Sequence, residues 1–362
     1  MEIFHRILAT AVEGGASDIH IKVGGPIIFR INRKLVPIEA PLPTTEWMES
    51  ILKGVLPNHA RKLLDAEMGC DFSYMAPGVG RFRTNVFLQR GQHAMALRYV
   101  KSQVPAFEAL GLLPICRKIA ESPRGIVLVA GSTGSGKSTT LAAMIEHINS
   151  NFRKHIITLE DPIEYSYEDN QSVIEQREIG LDCESFQQGM KHALRQDPDI
   201  ILVGEMRDAV SFQTAMGAAD TGHLVMSTVH TTNASLAISR VLDFFKADDR
   251  EQVRRQLAGT LQAVLCQRMV TTIDGSVTPA QEVLLNTPTV RKLLEENRLD
   301  TLPAAIETGS EDGMVNFNQA LYKLVQDGKV SQKEALAKAT NARALEMNFQ
   351  GIFLSEGKRI LG

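Results

Sequence analysis

The sequence predicts an α/β protein in two parts: a strand-rich α+β unit over 1–100, and a parallel-sheet unit over 108–362 that ends in a helical region from about 270. Three observations carry this. Residues Ser17–Val23 alternate strictly, with Ile19, Ile21 and Val23 on one side, as a half-buried strand does. Beyond residue 108, short β-branched runs alternate with helical stretches. One of those runs leads into Gly131-Ser-Thr-Gly-Ser-Gly-Lys-Ser138 and then into a helical pattern.

In chain order, Ile3, Ile7, Leu8, Ala11 and Val12 mark one helix face, closed by Gly14-Gly15. Pro26–Ile31 is the hairpin partner of the first strand. Helices are expected near Glu46–Leu56 and His59–Glu67, and strands at Cys70–Met75, Gly80–Leu88 and His93–Val100. Residues 101–107 break the pattern as a linker. Gly125–Ala130, His155–Leu159, Ile200–Val203 and His223–Thr228 read as parallel strands buried on both faces. From Glu251 on, Val253, Leu257, Leu261, Val264 and Leu265 sit at helical spacing, so the rest of the chain is expected to be all-helical.

Composition narrows the function classes. Hydrophobic residues are 44% and charged residues 22%, ordinary globular usage. The 39 basic and 42 acidic residues leave a net charge of −3, and no basic run is interleaved with aromatics, which argues against a nucleic-acid partner. No apolar run has the length of a membrane helix and no signal peptide is evident, so a cytoplasmic location is expected. The four cysteines form no CxxC pair, which excludes a zinc site of that kind.

Gly131–Ser138 matches G-x-x-x-x-G-K-[ST] in the strand–helix setting that the motif requires. Its glycines let successive N–H groups turn toward one point, and the helix N-terminus adds positive potential there. Ser132, Thr133, Gly134, Ser135, Gly136, Lys137, Ser138 and Thr139 are the candidate nucleotide contacts, with ATP as ligand. Lys137 would serve the β- and γ-phosphates and Ser138 would serve Mg²⁺. Two further strands end in acids, at Glu160-Asp-Pro-Ile-Glu164 and Gly204-Glu-Met-Arg-Asp208. Acids at such strand ends can hold Mg²⁺ or orient water, although solvated turns look the same in sequence. His223 and His230 are seven residues apart, which puts them on opposite faces of a continuous strand and disfavours a metal pair. Each is a γ-phosphate sensor or a packed histidine. Arg81 and Arg83 share a strand face, and Arg98 lies on the next strand; they are arginine fingers or a solvated face.

With these residues in view, the chain resembles the hexameric secretion ATPases, and within them the type IV pilus retraction ATPases (the PilT group with its PilU-type paralogues). Ala16-Ser-Asp-Ile-His20 resembles the N-terminal signature, Gly131–Ser138 the Walker A and Thr158–Tyr165 the acidic Asp box. Asp199–Asp208 resembles the Walker B, and Thr221–His230 the His box. The resemblance implies a PAS-like domain joined to a RecA-like ATPase domain, a homohexamer, and ATP with Mg²⁺ between subunits. It implies that Glu205 is the Walker B glutamate serving Mg²⁺ partly through water, that Glu164 orients water, and that Arg81 and Arg98 reach the nucleotide. Glu160, His223 and His230 belong to boxes that line it.

The implied partner is an inner-membrane pilus platform protein, with a paralogous pilus ATPase as a further one and membrane association only through partners. Extension-type relatives carry an extra N-terminal domain and a four-cysteine metal site, so the resemblance favours retraction over assembly. Thr289–Glu296 differs from the Ala-Ile-Arg-Asn-Leu-type segment of retraction motors, which keeps an accessory paralogue in view. The competing classes are a RecA-like nucleic-acid translocase and a non-hydrolysing adaptor ring.

Overall fold

The computed structural model describes residues 1–32, 34–100 and 104–353, in two compact units. Of the expected linker 101–107, residues 101–103 lie outside the described residues, and Phe107 already opens a short helix, Phe107–Leu110.

The first unit is built on β1 (Asp18–Lys22), β2 (Ile28–Ile31), β3 (Lys34–Pro37), β4 (Gly69–Ala76), β5 (Gly80–Gln89) and β6 (Gln92–Tyr99). They form one sheet in the order β3-β2-β1-β6-β5-β4, with every neighbouring pair antiparallel. Period-two alternation sets its faces: Ile19, Ile21, Phe82, Val86 and Leu97 are buried, while Arg83 and Arg98 stay on the solvent side. Helices Glu2–Glu13, Thr45–Val55 and Asn58–Glu67 bring Phe4, Leu8, Met48, Ile51 and Leu64 into the same core. Thr44 starts the second helix by accepting the Trp47 N–H at 3.2 Å.

Two findings depart from expectation. Strand β3 carries no sequence signal, because all four of its residues are exposed and no buried face marks it. The unit also extends beyond residue 100, since Glu160–Tyr167 and Gln176–Ser185 belong to it.

The other sheet lies in the second unit except for Glu160 at the end of β8 and Gln176–Glu178 of β9: β7 (Gly125–Ala130), β8 (His155–Glu160), β9 (Val173–Glu178), β10 (Ile200–Glu205), β11 (Leu224–Val229), β12 (Leu261–Thr271) and β13 (Val277–Leu285). The order is β13-β12-β7-β11-β10-β8-β9. Strands β12, β7, β11, β10 and β8 run parallel, and β13 pairs antiparallel with β12. Every residue of β7 and β11 is buried, as strands covered on both faces require.

The all-helical reading from Glu251 is corrected here. The helix Arg250–Thr260 uses Val253 and Leu257, but Leu261 opens β12, and the hairpin β12–β13 follows. Leu261–Val270 is a mostly apolar run that buries both faces beside β7, and such a run satisfies helical spacing as well as strand spacing. Helices resume at Pro288–Glu295 and continue to Ala342–Phe349. Among the described residues, no helix is long and apolar enough to cross a membrane.

Candidate active site

The loop Gly131–Ser138 joins β7 to the helix Lys137–Asn151 at the carboxyl edge of the parallel sheet. Gly131 has no room for a side chain: an added Cβ would lie 2.2 Å from the Ser135 Oγ and 2.8 Å from the Gln267 carbonyl. Gly136 caps the helix at φ 86°, where a side chain is strained. Beneath the loop, the Gln267 amide and the Thr140 hydroxyl hydrogen-bond each other, with the Gln267 Nε2 donating at 2.8 Å.

Lys137 is buried, and its Nζ donates to the carbonyls of Gly131 (2.9 Å) and Ser132 (3.2 Å). Ser132, Thr133 and Gly134 form an exposed lip, while Ser138 and Thr139 are half-buried. The Ser135 Oγ is buried with no hydrogen-bond partner among the described residues. An ammonium, a helix N-terminus and an unsatisfied buried hydroxyl together suit a polyphosphate.

Glu205 ends β10, two strands from β7, and β11 lies between them. At strand spacing this sets Glu205 about 10 Å across the sheet from the loop. Its Oε2 accepts from the Arg207 Nη2 at 2.7 Å, and its Oε1 lies 3.5 Å from the His230 Nε2. His230 follows the end of β11, so the structure brings Glu205 and His230 together on the edge that carries Lys137. A serine hydroxyl and a carboxylate are hard oxygen donors that suit Mg²⁺, an ion that keeps several of its waters.

His223 is not brought to this edge. It precedes β11 at the opposite end of the sheet, its Nδ1 hydrogen-bonded to the Ala218 carbonyl (2.9 Å) and the Thr221 hydroxyl (3.2 Å). Within this chain six strand residues separate the two histidines, about 20 Å.

Glu160, Glu164, Arg81 and Arg98 lie in the first unit. Glu160 is buried; its Oε2 accepts the Glu164 N–H at 3.4 Å and its Oε1 accepts from the Gln176 Nε2 at 3.1 Å. The Glu164 side chain is exposed. The Arg98 Nε donates to the Asp18 Oδ1 at 2.8 Å, and two-thirds of the Arg98 side chain is exposed. Burial pushes the Asp18 carboxyl up, but hydrogen bonds from Ser17 and Arg98 and the charges of Arg98 and Arg30 outweigh this and hold it below its ordinary value. Arg81 is paired with buried Glu178 at 2.6 Å.

Sequence reasoning missed Glu178, Gln176 and Gln267. The first two lie in Val173-Ile-Glu-Gln-Arg-Glu178, a polar strand without alternation, and Gln267 is a polar residue inside an apolar run. Arg207 lies two residues after Glu205, and that proximity is its signal in the sequence.

Taken in chain order, the parallel strands lie fifth, first, fourth, third, second across the sheet. With a phosphate loop after the first and a glutamate ending the third, this defines a RecA-like P-loop ATPase. Residues 1–298 match the family described as "Type II/IV secretion system protein", and the chain belongs to that family. It is 39% identical to the "Type IV pilus retractation ATPase PilT" of Pseudomonas aeruginosa, over 92% of this chain and 97% of that one. It is also 39% identical to the "Type IV pilus ATPase PilU" of the same organism, over 95% of this chain and 90% of that one. The solved structure of "the Pilus Retraction Motor PilT and Bound ADP" superposes with a TM-score of 0.87 at 40% identity, covering 94% of this chain and 98% of that one.

Proposed function

We propose that this chain is one subunit of a homohexameric ring that hydrolyses ATP to power type IV pilus retraction, acting on an inner-membrane pilus platform protein from the cytoplasmic face. The observation that carries this is the placement of Lys137 and the Glu205–His230 pair on one edge of a RecA-order sheet. Support for the pilus role comes from a PilT relative matched over 97% of its length.

In this reading Lys137 and the loop N–H groups hold the phosphates, with Ser132–Thr139 as the cradle. Bound Mg²⁺, held by the Ser138 hydroxyl and by Glu205 partly through water, would supply charge neutralisation at the phosphates. Glu164 orients the attacking water, with Glu160 supporting its segment. His230, beside Glu205, responds to the γ-phosphate. Arg98 leaves Asp18 to neutralise charge as the reaction proceeds. Nucleic acid has no role.

A second reading, a PilU-type accessory paralogue that works beside a main motor, draws on the equal 39% identity to PilU. The test is complementation of twitching in cells lacking their retraction ATPases, singly and together. Restored retraction by this chain alone, lost with Lys137→Ala, supports the motor. Rescue only when a second retraction ATPase is present supports the accessory role. ATP turnover without either rescue would sink the pilus assignment.

A further inference from the structure

We propose that Glu178, neutralised by Arg81, is a positioning residue that holds the segment carrying Glu164; the proposal rests on Glu164 as the water-orienting residue of the reading above. Three donors converge on one oxygen. The Glu178 Oε2 accepts from the Arg81 Nη2 at 2.6 Å, the Ser73 Oγ at 2.7 Å and the Ile163 N–H at 3.1 Å. Ile163 directly precedes Glu164 and is buried. The Glu178 side chain is 3% exposed and that of Arg81 16%. Such a pair is shielded from the solvent that weakens surface ion pairs.

Gln176 is two residues earlier on β9 and so on the same face. It grips the same segment: its Nε2 donates to the Tyr165 carbonyl at 2.8 Å, and its Oε1 accepts the Tyr167 N–H at 2.9 Å. The backbone is thus pinned at Ile163, Tyr165 and Tyr167, and exposed Glu164 lies between two pinned residues. The Arg81 guanidinium is the charged partner that offsets the cost of burying the Glu178 carboxylate, and the same oxygen accepts the Ile163 N–H. Without the guanidinium, the buried carboxylate loses its charged partner, and the grip on Ile163 loosens. Misplacement of a reacting group by about 1 Å costs roughly 10²-fold in rate. Arg81 therefore acts on the chemistry through Glu178, and not by touching a phosphate.

The experiment uses the full chain with Arg81→Ala, Arg81→Lys, Glu178→Gln, the Arg81→Ala/Glu178→Gln double variant and Ser73→Ala. It measures kcat, nucleotide Kd, assembled mass and amide exchange over 160–167. In Arg81→Ala and Glu178→Gln we expect kcat to fall about 10- to 100-fold with Kd and mass unchanged. Exchange over 160–167 should rise about tenfold in both, and Arg81→Lys should recover part of each loss. The double variant should be no slower than the slower single variant, because both substitutions break one linkage.

Multiplied effects in the double variant would return Arg81 to a direct role at the phosphate and overturn the proposal, as would unchanged exchange over 160–167. Should the ion-pair variants fail to fold, Ser73→Ala removes one donor and no charge, and it must still raise exchange at Ile163; unchanged exchange there overturns the clamp. If wild type shows no turnover, or Glu164→Gln keeps it, the active-site reading fails on its own, and the exchange measurement still decides whether the clamp exists.

Discussion

The Glu205 Oε1 lies 3.5 Å from the His230 Nε2, although 25 residues separate the two in sequence. The parallel strands β10 and β11 bring them together, with Glu205 in register with Thr228. The Thr228 hydroxyl donates to the Gly204 carbonyl at 2.7 Å and ties the two strand ends to each other. The pair therefore links the end of β10 to the residues that follow β11.

Glu205→Gln should keep nucleotide and lose turnover. The amide preserves shape and removes the charge that, in the proposed reading, steers Mg²⁺ and its water. We expect kcat to fall about 10²–10³-fold, with Kd within a few-fold of wild type. His230→Ala should follow the same pattern more weakly. Equilibrium binding beside single-turnover kinetics decides it: lost affinity with preserved kcat would mean that the roles are misassigned.

Lys137→Ala should abolish hydrolysis and weaken nucleotide binding. Its Nζ, now donating to the Gly131 and Ser132 carbonyls, is the loop's own cation, and no other lysine or arginine lies within 132–139. Turnover near wild type would refute the ATPase assignment.

Gly131→Ala should damage the loop while sparing the first unit. The new methyl would meet the Gln267 carbonyl, a backbone atom that cannot swing away. Overpacking of this kind costs about 1–3 kcal/mol. Urea unfolding followed through each unit, together with ADP titration, should show lost nucleotide affinity and a less stable second unit. Unchanged affinity would mean that the loop tolerates a shape different from the one seen.

Much of the fold was legible because burial leaves a periodic trace. Ile19 and Ile21 alternate with polar residues, and the fully buried β7 and β11 stand out as β-branched runs. The phosphate loop was legible because its chemistry is local, with glycines, lysine and serine in eight consecutive residues. What stayed hidden was relational. β3 buries no residue, β12 mimics helical spacing, and the partner of Arg81 lies 97 residues away in a polar strand. Arg81 and Arg98 were equivalent in sequence, yet one meets a buried carboxylate and the other an accessible one.

The accessible pair carries a pH signature. Asp18 is held below its ordinary value, so its contribution to stability is present above the unfolded pKa of roughly 3.9 and is lost as pH falls through the depressed folded value. Arg98→Ala removes a hydrogen bond and a charge and leaves the burial, so the Asp18 pKa should rise and the acid transition of the first unit should move to higher pH. Carboxyl-resolved NMR titration measures it, and an unmoved Asp18 would show that Ser17 and Arg30 suffice.

The last prediction concerns assembly. A P-loop binds ATP within one subunit, so binding alone needs no partner. In the proposed ring, turnover needs the arginine of an N-terminal unit to arrive at a nucleotide held between packed domains. Arg98 has the exposure for that movement, and its partner Asp18 is a short acid that a phosphate can outcompete for a guanidinium. Arg98→Ala should therefore lower kcat and leave mass and Kd intact. Specific activity should rise with protein concentration as rings form. Doping wild-type protein with Lys137→Ala subunits should depress activity more than in proportion to the dose, because one inert subunit stalls the sites that depend on its movement. A strictly linear decline, or full activity in dilute monomer, would mean that each subunit works alone and that hydrolysis does not pass around a ring.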